Sequence, residues 1–366
     1  METDRKLNVV VACGGTGGHA FPGLSVAEKL RSRGHDVTVW ESGRDIESSV
    51  MTAWNGKGFS TGARQLSVRN LFAIWRSIRR CRAELRQNRP DVMLAMGSYS
   101  SLPPVLAARA EGVPVVLHEA NTIPGRAVDF LARYAKVVAI SFEETARRLK
   151  GAKTVLTGLP VREDIVSGKR FDFIPKDDFV LFITGGSQGA HMVNCLVSEA
   201  LAIVKNEMSK DPSATGGRGL FVIHQTGAKD EIPILSEYTR LGISARVRAF
   251  ERQMADAFAS ADLVIARAGA STCFELAACG KAALLIPLPT ALRNHQHFNA
   301  DAVAAKGAAD EGIQDRLAPH QLARYIMEKM KNPARLQEMS SKMKTFATPR
   351  AADDVADLVE RSARKK

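Results

Sequence analysis

No stretch of this chain approaches the roughly 18 consecutive apolar residues that a membrane-spanning helix requires, so any membrane contact is expected to be peripheral. The amino end, METDRKLNVV, passes from charged residues straight into an apolar strand and lacks the uninterrupted core of a signal peptide. Cysteine is scarce: five residues, an odd number, with neither a CxxC pair nor zinc-ligand spacing. That pattern gives no disulfide framework and suits free thiols in a reducing, cytoplasmic setting. There is no short-period repeat and no long low-complexity tract. Negative charge is also in short supply. The 51 Lys and Arg against 39 Asp and Glu leave a net +12, which implies an anionic partner: nucleic acid, an acidic lipid surface or a diphosphate substrate. Charge alone does not choose among them.

What is present is enough chain, 366 residues, for two domains. Short apolar, β-branched runs (LNVVVA, DVTVW, PDVMLAM, VPVVLHE, KVVAIS, KTVLTG) alternate with amphipathic stretches, the βα pattern of a parallel doubly wound sheet. After a junction near residues 160 to 177 the series restarts with FVLFITGG, GLFVIHQTG, ARVRAF, DLVIARAG and KAALLIPLP. The fold class is therefore α/β, with two successive Rossmann-like halves. SKDPSATGGRG, from Ser209 to Gly219, reads as a surface loop.

Each half opens with a strand running into glycines: ACGGTGGHAFPG (residues 12 to 23) and TGGSQGA (residues 184 to 190). A glycine turn between strand and helix lets backbone N–H groups and the positive helix end approach a phosphate with no Cβ in the way. Two such turns suggest two phosphate-bearing ligands. Gly15, Gly17 and Ala20 also satisfy the dinucleotide fingerprint, and Glu41 closes the second strand where a ribose-binding acid would stand, so a nicotinamide enzyme is a competing reading.

His19, just after the first glycines, could be a general base, a phosphate ligand or a packing histidine. His118 and Glu119 end the VPVVLHE strand, with Asn121 in the same loop; the alternative is an ordinary polar strand end. In ARAGASTCFELAACG, Glu275 on the second helical turn could accept ribose hydroxyls or simply be a solvated charge. His295 and His297, two apart, would point to different sides of a helix, and no Asp-x-Asp occurs, which argues against a metal-anchored sugar-nucleotide site. RNLFAIWRSIRRCRAELRQNR, residues 69 to 89, sets Leu71, Ile74, Trp75, Ile78 and Leu85 at helical spacing among seven arginines and one glutamate. It reads either as a membrane-surface helix or as a helix covering the sheet with its arginines in water.

In order along the chain, GGTGGHAFPG, GSYSSLPPVLAA, HEANTIPGRA, TGLPVR, GGSQGA, HQTG, RAGASTCFELAACGKAALLIP and NHQHFNA resemble the GT-B glycosyltransferase family that makes the second lipid-linked intermediate of peptidoglycan synthesis. The resemblance implies two Rossmann-like parallel-sheet domains facing a cleft. The first would be an acceptor and membrane-associating domain, 1–163, joined by a C-terminal helix at 345–366; the second would be a UDP-sugar domain, 164–344. It implies an inverting transfer of N-acetylglucosamine from its UDP sugar to the C4 hydroxyl of undecaprenyl-diphosphate-linked muramyl pentapeptide, at the cytoplasmic face of the inner membrane. The anionic partners are then these two substrates and the leaflet, not nucleic acid, and no cofactor is required.

By the same resemblance Thr16, Gly17, Gly18, Asn121, Arg162, Ser187, Phe250, Glu251, Ala270, Ser271, Thr272, Glu275 and Gln296 would bind the donor. Gly14, Gly15, Tyr99, His118 and Glu119 would bind the acceptor, and His19 would be the base. Glu251 departs from the family pattern, being acidic where the uracil neighbour is usually apolar, and His295 replaces a residue that is commonly an amide. The rivals are a glycolipid synthase of the same fold acting on diacylglycerol and a dinucleotide-binding oxidoreductase.

Overall fold

The computed structural model describes residues 5–15, 17–43, 54–64, 70–186 and 188–364. They form two compact units: one from the start of the chain to Arg162 together with Thr348 onward, the other Glu163–Ala347. The first unit holds a sheet of β1 (Asn8–Ala12), β2 (Asp36–Glu41), β3 (Lys57–Ser60), β4 (Val92–Ala95), β5 (Val115–Glu119), β6 (Val137–Ile140) and β7 (Thr154–Leu156). Their order is β3-β2-β1-β4-β5-β6-β7, and every pairing is parallel. Helices cover both faces. Val9 and Val11 pack into one cluster with Leu24 and Leu30, while Val10 and Ala12 join the opposite one with Cys81 and Leu85. Burial on both faces explains why the strands read as unbroken apolar runs.

The second unit repeats the plan with β8 (Phe179–Thr184), β9 (Leu220–Gln225), β10 (Ser244–Arg248), β11 (Leu263–Ala266), β12 (Ala283–Leu285) and β13 (Ala309–Glu311), in the order β10-β9-β8-β11-β12-β13. Among the described residues the sequence runs anticipated every strand but two. β3 (KGFS) and β13 (ADE) are short edge strands without an apolar run.

After the helix Pro333–Thr345 of the second unit, the chain returns to the first. The terminal helix is Ala351–Ser362, shorter than 345–366, and the stretch 346–350 is not helical. Val355, Ala356 and Val359 enter the first unit's core. On the helix's polar side Arg33 meets Asp353 at 2.8 Å, Asp357 at 2.7 Å and Glu360 at 3.1 Å. No helix among the described residues is long and apolar enough to cross a membrane.

Candidate active site

In both units the strand order reverses beside the first strand, between β1 and β4 and between β8 and β11. Doubly wound sheets bind ligands at the carboxyl ends of strands flanking that reversal. In the first unit β1 delivers Gly14 and Gly15 to this edge, and β4 delivers the loop of Gly97, Ser98 and Tyr99. The two loops are tied together, since the Ser100 hydroxyl donates to the Gly14 carbonyl. A Cβ on Gly15, whose φ is +123°, would lie 2.5 Å from the Ser98 hydroxyl, so only glycine fits. Ser98 has φ 66° and ψ 166°, a region other residues avoid, and such strain persists only where its surroundings enforce it. The acceptor candidates Gly14, Gly15 and Tyr99 are thus brought to one place.

The helix Gly17–Ser32 begins here and carries Gly17, Gly18 and His19 in its first turn; Thr16 lies outside the described residues. His118 sits behind. Its Nε2 is 3.2 Å from the Gly158 carbonyl, which can only accept, so Nε2 carries the proton. Burial pulls its pKa down to about 4, although the bond to the Gly158 carbonyl favours the protonated ring. With that pKa His118 is a buried imidazole that is neutral near pH 7. Glu119 is likewise buried. Its carboxylate accepts from the Asn121 backbone at 2.9 Å, the Asn121 amide at 3.1 Å and the Gly125 backbone at 2.9 Å, so it shapes the 119–125 loop. Arg162, assigned from sequence to the donor diphosphate, is placed in the first unit, with its guanidinium 5.2 Å from the centre of the ring of Phe21, a residue of the helix Gly17–Ser32.

In the second unit β8 runs into Gly185 and Gly186, with Ser187 outside the described residues; β9 runs into Gln225, and β10 leads to Phe250 and Glu251. The glycine turn and the loop after β9 pass so closely that a Cβ on Gly189 would fall 2.1 Å from the Thr226 carbonyl oxygen. Phe250 is exposed, whereas Glu251 is 2% exposed. The Glu251 carboxylate binds Arg246 through two oxygens, at 2.7 and 3.1 Å, so only its backbone remains for a base. The Glu251 N–H is itself bonded to the Gln225 side-chain oxygen at 3.0 Å.

After β11, Gly269 caps the helix Ala270–Cys279, which begins with Ala270, Ser271 and Thr272 and carries Glu275 on its second turn. Arg267, which sequence reasoning passed over, holds this loop from below. It donates to the carbonyls of Ile286 and Pro287, each at 3.1 Å, and to the Gln314 side chain at 2.7 Å. Asn299 donates to Ala268 O at 3.1 Å. The Gln296 side-chain oxygen accepts from Leu288 N at 3.0 Å. His295 donates to Leu292 O at 2.8 Å, while His297 meets Glu311 at 2.7 Å, so the two histidines serve different neighbours. A strand ending in a polar residue, as in LFVIHQ, was the available signal for Gln225. Nothing local marked Arg246 or Arg267.

Two family models match the chain: the glycosyltransferase family 28 N-terminal domain over residues 9–140 and the C-terminal domain over residues 180–355. Over 98% of this chain and 100% of the relative, it is 35% identical to the UDP-N-acetylglucosamine--N-acetylmuramyl-(pentapeptide) pyrophosphoryl-undecaprenol N-acetylglucosamine transferase of Geobacter metallireducens. It is 37% identical to the Syntrophotalea carbinolica protein of that name, over 95% of this chain and 97% of the relative. The crystal structure of Acinetobacter baumannii MurG superposes with a TM-score of 0.77 at 30% identity, covering 98% of this chain and 100% of that one. These matches supersede the nicotinamide reading, and Glu41, the candidate ribose acid, accepts from the backbone N–H of its neighbour Gly43. With two Rossmann-like units of GT-B type and full-length identity above 30%, the chain belongs to the UDP-N-acetylglucosamine--N-acetylmuramyl-(pentapeptide) pyrophosphoryl-undecaprenol N-acetylglucosamine transferases of glycosyltransferase family 28.

Proposed function

We propose that this enzyme transfers N-acetylglucosamine from UDP-N-acetylglucosamine to the C4 hydroxyl of undecaprenyl-diphosphate-linked N-acetylmuramyl pentapeptide, with inversion at the anomeric carbon. One observation carries the reading: full-length identity to transferases named for that reaction, in a chain with a glycine turn at the switch point of each unit. The second unit would hold the donor, with Phe250 and the Glu251 backbone at uracil, Glu275 at the ribose hydroxyls and the helix start at Ala270 near the phosphates. The first unit would hold the acceptor diphosphate at the turn of Gly14 and Gly15. His19 would take the proton of the attacking hydroxyl. As the anomeric C–O bond to UDP breaks, charge develops on the leaving diphosphate. Helix ends and basic side chains would stabilise it without a metal, the electrostatic contribution that usually dominates such steps.

The helix Leu71–Asn88 is the proposed contact with the inner leaflet. Leu71, Phe72 and Trp75 are 57%, 72% and 50% exposed, and the Phe72 and Trp75 rings stack with centroids 5.8 Å apart. Arg79 lies 4.7 Å above Trp75. Ile74, Cys81 and Leu85 are buried, so Ile74 belongs to the core-facing side rather than to the membrane side. One side of the helix covers the sheet, and the exposed side is the one proposed to meet the membrane. Apolar rings ringed by exposed arginines suit an anionic interface.

Offering labelled donor to the pure protein with muramyl-pentapeptide lipid or with diacylglycerol, and resolving products by thin-layer chromatography, tests the acceptor. The reading predicts label in the first lipid alone. Label in diacylglycerol would replace it with glycolipid synthesis.

A further inference from the structure

Resting on the assignment of the second unit to the UDP sugar, we infer that Gln225 is a positioning residue that fixes the spacing between the diphosphate turn and the uracil loop. The Arg246–Glu251 pair locks the far side of the same connection.

Gln225 is buried at the carboxyl end of β9, and all three of its amide functions are used. Its nitrogen donates to the Thr184 hydroxyl at 3.2 Å and to the Gly186 carbonyl at 2.8 Å, both in the strand and turn that begin the second glycine motif. Its oxygen accepts the Glu251 backbone N–H at 3.0 Å. One side chain therefore bridges the phosphate turn on β8 to the base loop after β10, across the strand between them. Beyond it, the Glu251 carboxylate receives Arg246 and the Gln253 backbone N–H at 2.9 Å, and Arg246 also donates to the Gln253 side chain at 3.1 Å. The Arg246 guanidinium lies 5.0 Å from the centre of the Phe171 ring. A carboxylate this buried is stable only while that partner is in place.

A nucleoside diphosphate has a fixed distance between base and phosphates. Two subsites held at that distance bind the whole ligand far better than subsites that drift, whereas a ligand reaching only one subsite is indifferent to the spacing. This predicts a signature that a general loss of structure does not give. In Gln225→Leu, UDP should inhibit at least tenfold more weakly, while the inhibition constant of uridine alone changes by less than about threefold. The KM for UDP-N-acetylglucosamine should rise with that of UDP, with kcat and the acceptor KM within about twofold of the native values. Arg246→Leu should show the same pattern, and Arg246→Leu with Glu251→Leu should keep the weaker UDP inhibition while regaining stability, because the lock is gone although no buried charge is left alone.

The inference is overturned if UDP inhibits a folded Gln225→Leu as it does the native enzyme, or if uridine and UDP weaken equally. Should Gln225→Leu not fold, Arg246→Leu and its double mutant decide the matter by the same criterion. A native protein that UDP does not inhibit would instead overturn the donor assignment itself, and the inference with it.

Discussion

The Ser100 hydroxyl donates to the Gly14 carbonyl and so ties the loop after β4 to the glycine turn after β1. Both groups are buried at the reversal of the first sheet. Replacing the hydroxyl leaves a buried carbonyl without its donor, a loss of about 1 to 3 kcal/mol. Ser100→Ala should therefore raise the acceptor KM while leaving the donor KM within about twofold. Steady-state kinetics with each substrate varied in turn checks this, and a donor-specific effect would place the turn differently.

Glu275→Ala is expected to raise the donor KM by one to two powers of ten, on the order of 1.5 to 3 kcal/mol for lost charge-assisted hydrogen bonds. An unchanged KM in a folded protein removes Glu275 from the ribose.

His19→Ala should lower kcat by roughly a hundredfold with the donor KM nearly constant if His19 is the base. A loss confined to acceptor KM would make it a phosphate ligand.

Much of this was legible in the sequence, for a physical reason. VVLHE and LFVIHQ are buried on both faces and so run apolar until the polar pair at the carboxyl end of each, whereas KGFS and ADE lie at sheet edges under no such demand. Helical spacing showed that residues 71 to 85 form an amphipathic helix, but not that Ile74 is buried while Trp75 is exposed. Nor could sequence show that Glu251 is turned onto Arg246 or that Arg162 lies on Phe21, because both depend on how separate loops meet.

His118 and His224 are both fully buried, and burial, the largest influence on each, lowers their pKa from 6.5 to about 4 and about 3. The unfolded chain picks up protons below pH 6.5 that the folded chain refuses, so stability is full above that pH and falls as pH drops toward 4. The slope should be about 1.4 kcal/mol per pH unit for each histidine. Urea midpoints measured from pH 7 to pH 4.5 should decline steadily, in both units if they unfold separately, since one histidine lies in each. Midpoints that stay level across this range would contradict two buried neutral imidazoles.

Membrane attachment should depend on Trp75, Arg76 and Arg79, whose side chains are exposed. Arg80 is a poorer probe because it packs 5.1 Å from the centre of the Phe59 ring, and Arg82 and Arg86 are paired with Glu111. Trp75→Ala with Arg76→Glu and Arg79→Glu should leave the melting temperature nearly unchanged. Each arginine contributes about 1 kcal/mol at an anionic surface, so sedimentation with anionic vesicles should fall steeply. In the native protein that binding should weaken with salt. Undiminished sedimentation of the triple mutant would return the helix to a purely structural role.

The most direct measurement is to incubate the pure protein with UDP-N-acetylglucosamine labelled in the sugar and with undecaprenyl-diphosphate-linked muramyl pentapeptide, following label and UDP together. Label should enter the lipid in equal amount to the UDP released, in a β-linked disaccharide and only when that acceptor is present. UDP released without labelled lipid, or no turnover of the donor by a folded protein that binds it, would contradict the account.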